Sequence, residues 1–320
     1  MCPDIISLGE PLLEFNATSE GSLVSVENYE VGFGGDTSNF AIAVSRLGGS
    51  AGYICRIGDD DFGRIFLNLW GEEGVDTGEV IVEEGGTTGI YFIARQDNTH
   101  SFTYYRRNSA ASKLSIKDIP EEYIRGAKIF HTTGISQAIS NTACDAVFRA
   151  IEIARSEDVL VAYDPNIRFQ LWGKHRARSV MWETIRMADI VFPNLEEGAE
   201  LTNLSDPISI TKKILERGPK VVVLKMGSRG ALLASNEGFY FIDPLDVDVV
   251  DATGAGDTFA AAFLSKYIEV GEYKKCLKFA GAAAALTSTG CGAVRPIPRK
   301  SEVEEACRRQ TIREWDKDNL

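Results

Sequence analysis

Short apolar runs alternate with helix-length amphipathic segments along the second half of the chain. Most residues are apolar in four such runs, at 128–132, 159–163, 189–192 and 221–224. Strands covered by helices on both faces have continuous apolar sequences, whereas half-exposed strands alternate between apolar and polar residues. The pattern therefore predicts an α/β fold with an open, mostly parallel sheet and helices on both faces, which begins with a buried strand at residues 5–8.

Two regions in the first half of the chain lack this rhythm and have strand-like patterns instead. They are the segments at about 11–33 and 87–108, and the second contains two β runs around a turn at Asp97 and Asn98. We expect these inserted segments to form a small antiparallel β-sheet lid on a single domain that spans residues 1–320. Tyr104 and Arg106 would share one face of the lid. There an arginine can hold an anionic or hydroxyl-rich substrate, although a solvated strand edge is an equally simple role.

Composition narrows the classes of partner. Of the 320 residues, 44% are hydrophobic and 25% are charged, and the formal net charge is −12. A chain this acidic is not attracted nonspecifically to nucleic acid or anionic lipid. No apolar run is long enough to span a membrane, and the N-terminus has no basic leader. We therefore expect a cytoplasmic protein with neither nucleic-acid nor membrane partners.

Metal sites built from cysteine or histidine are not expected. The six cysteines are scattered without a CxxC pair, and the three histidines lie far apart in the sequence. Reduced thiols are the simpler interpretation, because a chain of this size needs no disulfides.

The segment Asp251-Ala252-Thr253-Gly254-Ala255-Gly256-Asp257 carries the most specific chemistry, and a helical run of small residues follows it. Glycines allow successive amide groups to point at an anion, and a helix N-terminus adds a positive dipole behind them. A carboxylate at such a site is useful when it removes a proton during transfer of the anion. The segment therefore indicates phosphoryl transfer to an alcohol, with Asp257 as the base. A simple helix cap fits the same residues.

A second glycine-rich turn, Gly34-Gly35, precedes an apolar helix, and Asn39 on its first turn can donate to and accept from sugar hydroxyls. A loop with a helix cap is again the alternative. Polar or turn residues also follow the four apolar runs. In open α/β sheets ligands bind beyond the carboxyl ends of the strands. We therefore expect these loops to converge with the 251–257 turn; they begin at Gly134, Asp164, Asn194 and Lys225.

From end to end the chain resembles the ribokinase-like, PfkB-type carbohydrate kinases. The turn at Gly34 and Gly35 with Asn39 resembles the N-terminal motif of that family, and residues 251–257 resemble its C-terminal motif. Asn194 and Glu197 resemble its N-x-x-E element. The resemblance implies ATP as phosphate donor and Mg²⁺ placed by Asn194 and Glu197, directly or through water. A monovalent cation is a further candidate cofactor, and a homodimer through the lid is a candidate assembly.

The resemblance also implies individual roles. Asp257 takes the proton of the attacking hydroxyl, and the amides of Gly254, Ala255 and Gly256 stabilise charge on the moving phosphoryl group. By the same analogy, the residues that contact the nucleotide are Asn194, Lys225, Gly227, Gly230, Gly254 and Gly256.

Within the family the chain looks most like 2-keto-3-deoxygluconate kinases. That sugar acid carries a carboxylate, and Arg106 and Arg168 are available as cationic partners. By this analogy the sugar site comprises Gly34, Gly35, Asn39, Tyr91, Tyr104, Arg106, Ile135 and Arg168.

Fructokinase is the main alternative. The loop around Cys291 is closer in sequence to fructokinases, and arginine side chains also bind neutral hydroxyls. A non-catalytic sugar or nucleotide sensor is an alternative from a different class, but a sensor would be expected to have lost Asp257. A dinucleotide-dependent dehydrogenase would need G-x-G-x-x-G after the first strand, where this chain has Gly9-Glu10-Pro11.

Overall fold

A computed structural model describes residues 2–96 and 99–315, so the predicted turn at Asp97 and Asn98 lies outside the described residues. Fourteen strands form within those ranges: β1 (Ile5–Leu8), β2 (Leu12–Glu20), β3 (Tyr29–Gly34), β4 (Ala51–Gly58), β5 (Val80–Glu83), β6 (Ile90–Gln96), β7 (Thr99–Tyr105), β8 (Ile129–Thr133), β9 (Leu160–Asp164), β10 (Ile190–Val191), β11 (Val221–Lys225), β12 (Ala231–Ser235), β13 (Gly238–Ile242) and β14 (Ile312–Trp315).

Ten strands form the main sheet, in the order β14-β13-β12-β11-β10-β9-β8-β1-β4-β5. The strands from β5 to β11 in this order pair in parallel, whereas β12, β13 and β14 add antiparallel pairs at one edge. The mostly parallel sheet that the apolar runs predict is therefore confirmed. The first strand lies inside the sheet, between β4 and β8.

Helices cover both faces of this sheet. The described residues form eleven α-helices: α1 (Asp36–Arg46), α2 (Asp61–Glu72), α3 (Glu121–Arg125), α4 (Gly134–Ala138), α5 (Asn141–Ser156), α6 (Lys174–Met187), α7 (Leu195–Thr202), α8 (Pro207–Leu215), α9 (Ala255–Val270), α10 (Tyr273–Thr287) and α11 (Lys300–Cys307).

The helices form two layers, and each layer packs on the sheet through its own apolar core. One core contains buried side chains of α1, α2, α9, α10 and α11, and the other contains those of α3, α5, α6, α7 and α8. Strand β1 contributes to both, because Ile5 faces the first core and Ile6 the second. This is the two-sided burial that continuous apolar strands require.

A separate four-stranded sheet, called the small sheet below, has the order β3-β2-β6-β7. Its strands come from the two regions expected to form the lid. The pairs β2–β3 and β6–β7 are antiparallel, but β2 pairs with β6 in parallel, so the sheet is mixed rather than wholly antiparallel. The reason lies in the connections: β2 follows β1 and β6 follows β5, and β1 and β5 point in the same direction within the main sheet.

The small sheet and the main sheet meet at the carboxyl edge of the parallel strands. Phe15 contacts Phe62 of α2 edge to face with ring centroids 6.0 Å apart, and Phe33 contacts Phe66 in the same way at 5.7 Å. The loops that follow β1, β8, β9, β10 and β11 leave from this edge. Within the described part of the chain, no helix has the length and apolar content needed to cross a membrane.

Candidate active site

The turn before α9 is fixed by glycine conformation and by one aspartate. Gly254 has φ 76°, and a Cβ atom there would lie 2.6 Å from the carbonyl oxygen of Ala293. Asp251 accepts hydrogen bonds from the amide and hydroxyl of Thr253 through Oδ1, and from the amide of Gly292 at 2.9 Å through Oδ2. The loop that contains the exposed Cys291 is therefore attached directly to this turn.

The start of α9 suits an anion. No side chain caps this 16-residue helix, and helices leave their first amide groups without acceptors inside the helix. Of the three amides predicted to bind phosphate, that of Ala255 donates to the carbonyl of Ala252 at 3.2 Å. The first-turn amides of Gly256 and Asp257, with the helix dipole behind them, make the better fit to phosphate oxygens.

Asp257 lies on the first turn of α9 and is joined to α1. The Asn39 side-chain amide donates to Asp257 Oδ2 at 2.9 Å. Burial and the nearby carboxylate of Asp36 raise the pKa of Asp257 to about 8, although the Asn39 hydrogen bond acts in the opposite direction. A carboxylate with a raised pKa is a stronger base, which suits proton removal from an alcohol.

The turn before α1 brings two backbones into close contact. Gly35 has φ 94°, and a Cβ atom there would lie 2.3 Å from the carbonyl oxygen of Glu10. Asp36, the first residue of α1, accepts from the amide of Thr37 at 2.9 Å and from the side-chain amide of Asn166 at 2.8 Å. Asp36 was not among the predicted site residues, and its place between Gly35 and Asn39 was the available signal.

Aromatic side chains of the small sheet line the approach to this turn. A Cβ atom on Gly34 would lie 2.4 Å from the hydroxyl of Tyr91, so the glycine makes room for that ring. Tyr91 donates a hydrogen bond to Glu14 and stacks on Tyr104, with ring centroids 5.4 Å apart. Burial raises the pKa of Tyr91 far above neutrality, so its hydroxyl remains a donor.

The two arginines predicted as cationic partners differ in their surroundings. Arg106 forms an ion pair with the buried carboxylate of Glu10, which also accepts from Ser109 at 2.9 Å. Arg168 is exposed and donates to the carbonyl of Ile167 at 2.9 Å. Among the described residues, no carboxylate oxygen lies within 4.0 Å of the guanidinium nitrogens of Arg168, the limit for an ion pair. Arg168 therefore keeps a charge without an ion-pair partner among the described residues, whereas Glu10 partly compensates the charge of Arg106.

Ile135 lies where the loops after β8 and β9 meet. It is the second residue of α4, is half-buried, and follows the helix cap that Thr133 provides. A Cβ atom on Gly134 would lie 2.1 Å from the carbonyl oxygen of Pro165, so the two loops are in contact. This contact places Ile135 near the segment that carries Arg168.

Lys225, the last residue of β11, lies beside the turn before α9. Its ammonium group forms an ion pair with Asp164, and a Cβ atom on Gly256 would lie 3.4 Å from Nζ. Burial opposes the charged form, but the carboxylates of Asp164 and Glu197 outweigh it and raise the pKa of Lys225. A permanently charged lysine at this place is suited to phosphate.

The glycines after β11 have a structural explanation. Gly227 has φ 57° and Gly230 has φ 84°, and a Cβ atom on Gly230 would lie 1.9 Å from the carbonyl oxygen of Ile242. The tight turn requires both glycines with or without a ligand. Their contact with a nucleotide therefore stays a prediction.

Asn194 and Glu197 form a capping box at the start of α7. Glu197 Oε2 accepts from the amide of Asn194 at 2.9 Å, and Oε1 accepts from the amide of Ile167 at 3.0 Å. Among the described residues, no three His, Cys, Asp or Glu side chains are arranged to hold a metal ion. The carboxylate keeps spare lone pairs, and Mg²⁺ commonly retains its waters and binds to substrate phosphates. The two residues therefore fit Mg²⁺ held through water.

The comparisons with known proteins cover almost the whole chain. The model for "pfkB family carbohydrate kinase" matches residues 3–300. A 2-dehydro-3-deoxygluconokinase of Thermoproteus tenax is 34% identical over 306 residues, which are 94% of this chain and 93% of the relative. Fructokinase-1 of Zea mays is 34% identical over 310 residues, with coverages of 93% and 96%.

A similar solved structure is that of a candidate ribokinase II of E. coli in complex with ATP and Mg²⁺. The TM-score is 0.90 at 28% identity, and the superposition covers 96% of this chain and 99% of the other. The similarity therefore extends over both sheets rather than over one motif.

Proposed function

Since the chain belongs to the pfkB family of carbohydrate kinases, we propose that it transfers the γ-phosphate of ATP to a hydroxyl of 2-keto-3-deoxygluconate, also named 2-dehydro-3-deoxygluconate. One observation carries this choice of acceptor: the exposed guanidinium of Arg168 has no ion-pair partner among the described residues. A sugar acid would supply its carboxylate to that group in a charge-assisted hydrogen bond.

In this proposal Asp257 takes the proton of the attacking hydroxyl, and the Asn39 amide keeps the carboxylate oriented. The first-turn amides of α9 stabilise the charge of the transferred phosphoryl group without having to reorient. Lys225 neutralises phosphate charge on the nucleotide side of the same turn. Asn194 and Glu197 would hold Mg²⁺ through water, and the bound ion would supply further positive charge near the phosphates.

The small sheet would hold the sugar. Tyr91 and Tyr104 offer an aromatic surface, and Gly34 leaves the room that the Tyr91 ring occupies. In this proposal Arg106 supports the surface through its ion pair with Glu10, and the main partner of the carboxylate is Arg168. A single cation, Arg168, then selects for the acid group.

Fructokinase is the second candidate. The loop attached to the base-bearing turn through Gly292 and Asp251 resembles that of fructokinases, and the maize relative is as similar in sequence as the archaeal one. A neutral sugar would then hydrogen-bond to Arg168. A non-catalytic sensor would retain both ligand sites without turnover.

ADP release with a panel of acceptors tests the proposal: 2-keto-3-deoxygluconate, fructose, ribose, adenosine and fructose 6-phosphate. We expect the sugar acid to give the highest kcat/KM. A preference for fructose would establish the second candidate, and no ADP release with any acceptor would leave the sensor.

Asp257→Asn is the control variant for this assay. It should still bind ATP in calorimetry but lose turnover by about 10²- to 10⁴-fold, because general base catalysis contributes that much. Near-normal turnover of this variant would exclude Asp257 as the base.

A further inference from the structure

Two residues on the first turn of α1 point toward the reaction centre. Asp36 and Asn39 are three positions apart, so their side chains lie on the same face of the helix. Asn39 binds Asp257, and Asp36 binds the side-chain amide of Asn166. Both residues are buried. One helical turn therefore contacts the base and also the loop after β9.

That loop is held by hydrogen bonds on several sides. Asn166 has φ 37°, a left-handed conformation, and its backbone amide donates to Asp164 Oδ1 at 3.2 Å. The next amide, that of Ile167, donates to Glu197. The bond from Asn166 to Asp36 joins this loop to α1, and Arg168 follows two residues later.

The charges around Asp257 are unevenly balanced. Asp164 has Lys225 as its ion-pair partner, whereas Asp36 has none within the described part of the chain. Burial raises the pKa of Asp36, but both of its oxygens accept hydrogen bonds from amide donors, and these together with the charge of Arg168 favour its ionised form. Like charges oppose each other's ionisation and make each carboxylate more basic. The charged and polar groups that face Asp257 are Asp36 and Asn39 of α1, Tyr91 of β6, Asp164 of β9 and Lys225 of β11.

We propose that Asp36 is a positioning residue for phosphoryl transfer: its negative charge strengthens Asp257 as a base, and its bond to Asn166 holds the 164–168 segment that presents Arg168. The inference rests on the proposed function and adds a residue to it. Asp36 itself exchanges no proton with the substrate. Its charge acts on Asp257 and its hydrogen bond acts on the 164–168 segment, so separate substitutions can test the two effects.

The direction of the pH effect follows from the charges. Asp257 works in its ionised form, so kcat/KM for the acceptor rises with pH along an acidic limb set by the free enzyme. Removing the charge of Asp36 takes away a cause of the raised pKa of Asp257, so the limb moves to lower pH. The base also weakens, so kcat on the plateau falls. Removing only the side-chain amide of Asn166 leaves the negative charge of Asp36 in place, so the acidic limb should stay at its wild-type pH.

The experiment compares pH profiles of wild type, Asp36→Asn and Asn166→Gly with the acceptor that wild type prefers. Asp36→Asn should move the acidic limb down by about one pH unit and raise the acceptor KM severalfold. Glycine tolerates the left-handed conformation at position 166, so Asn166→Gly removes only the side-chain amide. This variant should raise the acceptor KM and keep the acidic limb at its wild-type pH. Asp36→Glu, which keeps the charge, should also keep the limb.

An unshifted limb in Asp36→Asn would overturn the inference, provided that wild type turns over the acceptor. Asp36→Ser removes the same charge and retains an acceptor for the amide of Thr37, so it decides the question if the asparagine variant fails to fold. Absence of turnover in wild type would instead reject the proposed function. The two failures are therefore distinguishable.

Discussion

At the scale of single residues, Arg106 and Arg168 show how surroundings separate two identical side chains. Arg106 forms an ion pair with Glu10, a carboxylate whose pKa burial raises although the arginine opposes the change. Breaking such a pair leaves a buried charge without compensation. Arg168 is exposed to solvent, so its removal leaves no buried charge without a partner. A substitution at 106 therefore disturbs structure, whereas one at 168 should disturb recognition.

We expect Arg168→Ala to raise KM for 2-keto-3-deoxygluconate by about 10- to 100-fold, since a hydrogen bond between charged groups contributes about 1.5–3 kcal/mol. KM for ATP should stay within about twofold of wild type on the same scale. Steady-state kinetics with both substrates varied measures this. Arg168→Lys keeps a charge and should recover part of the loss. Equal effects on the sugar acid and on fructose would contradict a carboxylate contact.

The grouping of residues that lie in short local motifs could be predicted from the sequence. Gly34, Asn39 and Asp257 lie in short motifs whose spacing carries their chemistry, and the structure brings all three to one place. The partners of Arg106 and Asp36 could not be assigned in this way. Glu10 is 96 positions from Arg106, and Asn166 is 130 positions from Asp36. Alternation along a strand indicates which face a side chain occupies but not which distant group it meets.

At the scale of secondary-structure elements, the start of α1 depends on one backbone contact. Gly35→Ala should destabilise the protein by about 1–3 kcal/mol, because the new methyl group would meet the carbonyl of Glu10 and φ is positive. Denaturant unfolding measures the change. Gly71→Ala near the end of α2 is the matched control, since no atom lies within 4 Å of its added Cβ. That control should be neutral or stabilising by about 0.5–1 kcal/mol. Equal losses of unfolding free energy in both variants would contradict a specific steric clash at Gly35.

The types of element were predictable because burial on two faces leaves a continuous apolar signature, as in β8, β9 and β11. The parallel pairing of β2 with β6 was not predictable. An alternating pattern records which side chains face inward, but it does not record the direction of the neighbouring strand. That direction depends on where both segments leave the main sheet.

At the scale of the whole molecule, the proposed sugar site is divided between two sheets. Tyr91 and Tyr104 belong to the small sheet, whereas Asn39 and Asp257 belong to helices on the main sheet. The two parts also meet through aromatic contacts and through the exposed ion pair of Arg295 with Glu30. A ligand that touches both parts should therefore restrict their relative motion.

We expect hydrogen exchange in β7 (Thr99–Tyr105) to slow when the acceptor and a non-hydrolysable ATP analogue bind together. Mass spectrometry of the exchanged protein gives the measurement. Strand β13 at the antiparallel edge of the main sheet is the internal control and should not change. Uniform slowing over both strands, or no slowing in β7, would contradict a site shared between the sheets.

The hydrogen bond between Asn39 and Asp257 joins side chains 218 positions apart. During synthesis, the first strand and the turn at Gly34 and Gly35 leave the ribosome long before Asp257. Under the proposed roles, a chain that ends before Asp257 would lack the base for proton removal. Turnover would then require α9 to have been made and to have packed in the same core as α1. Kinase activity would thus report the joining of the first and last thirds of the chain.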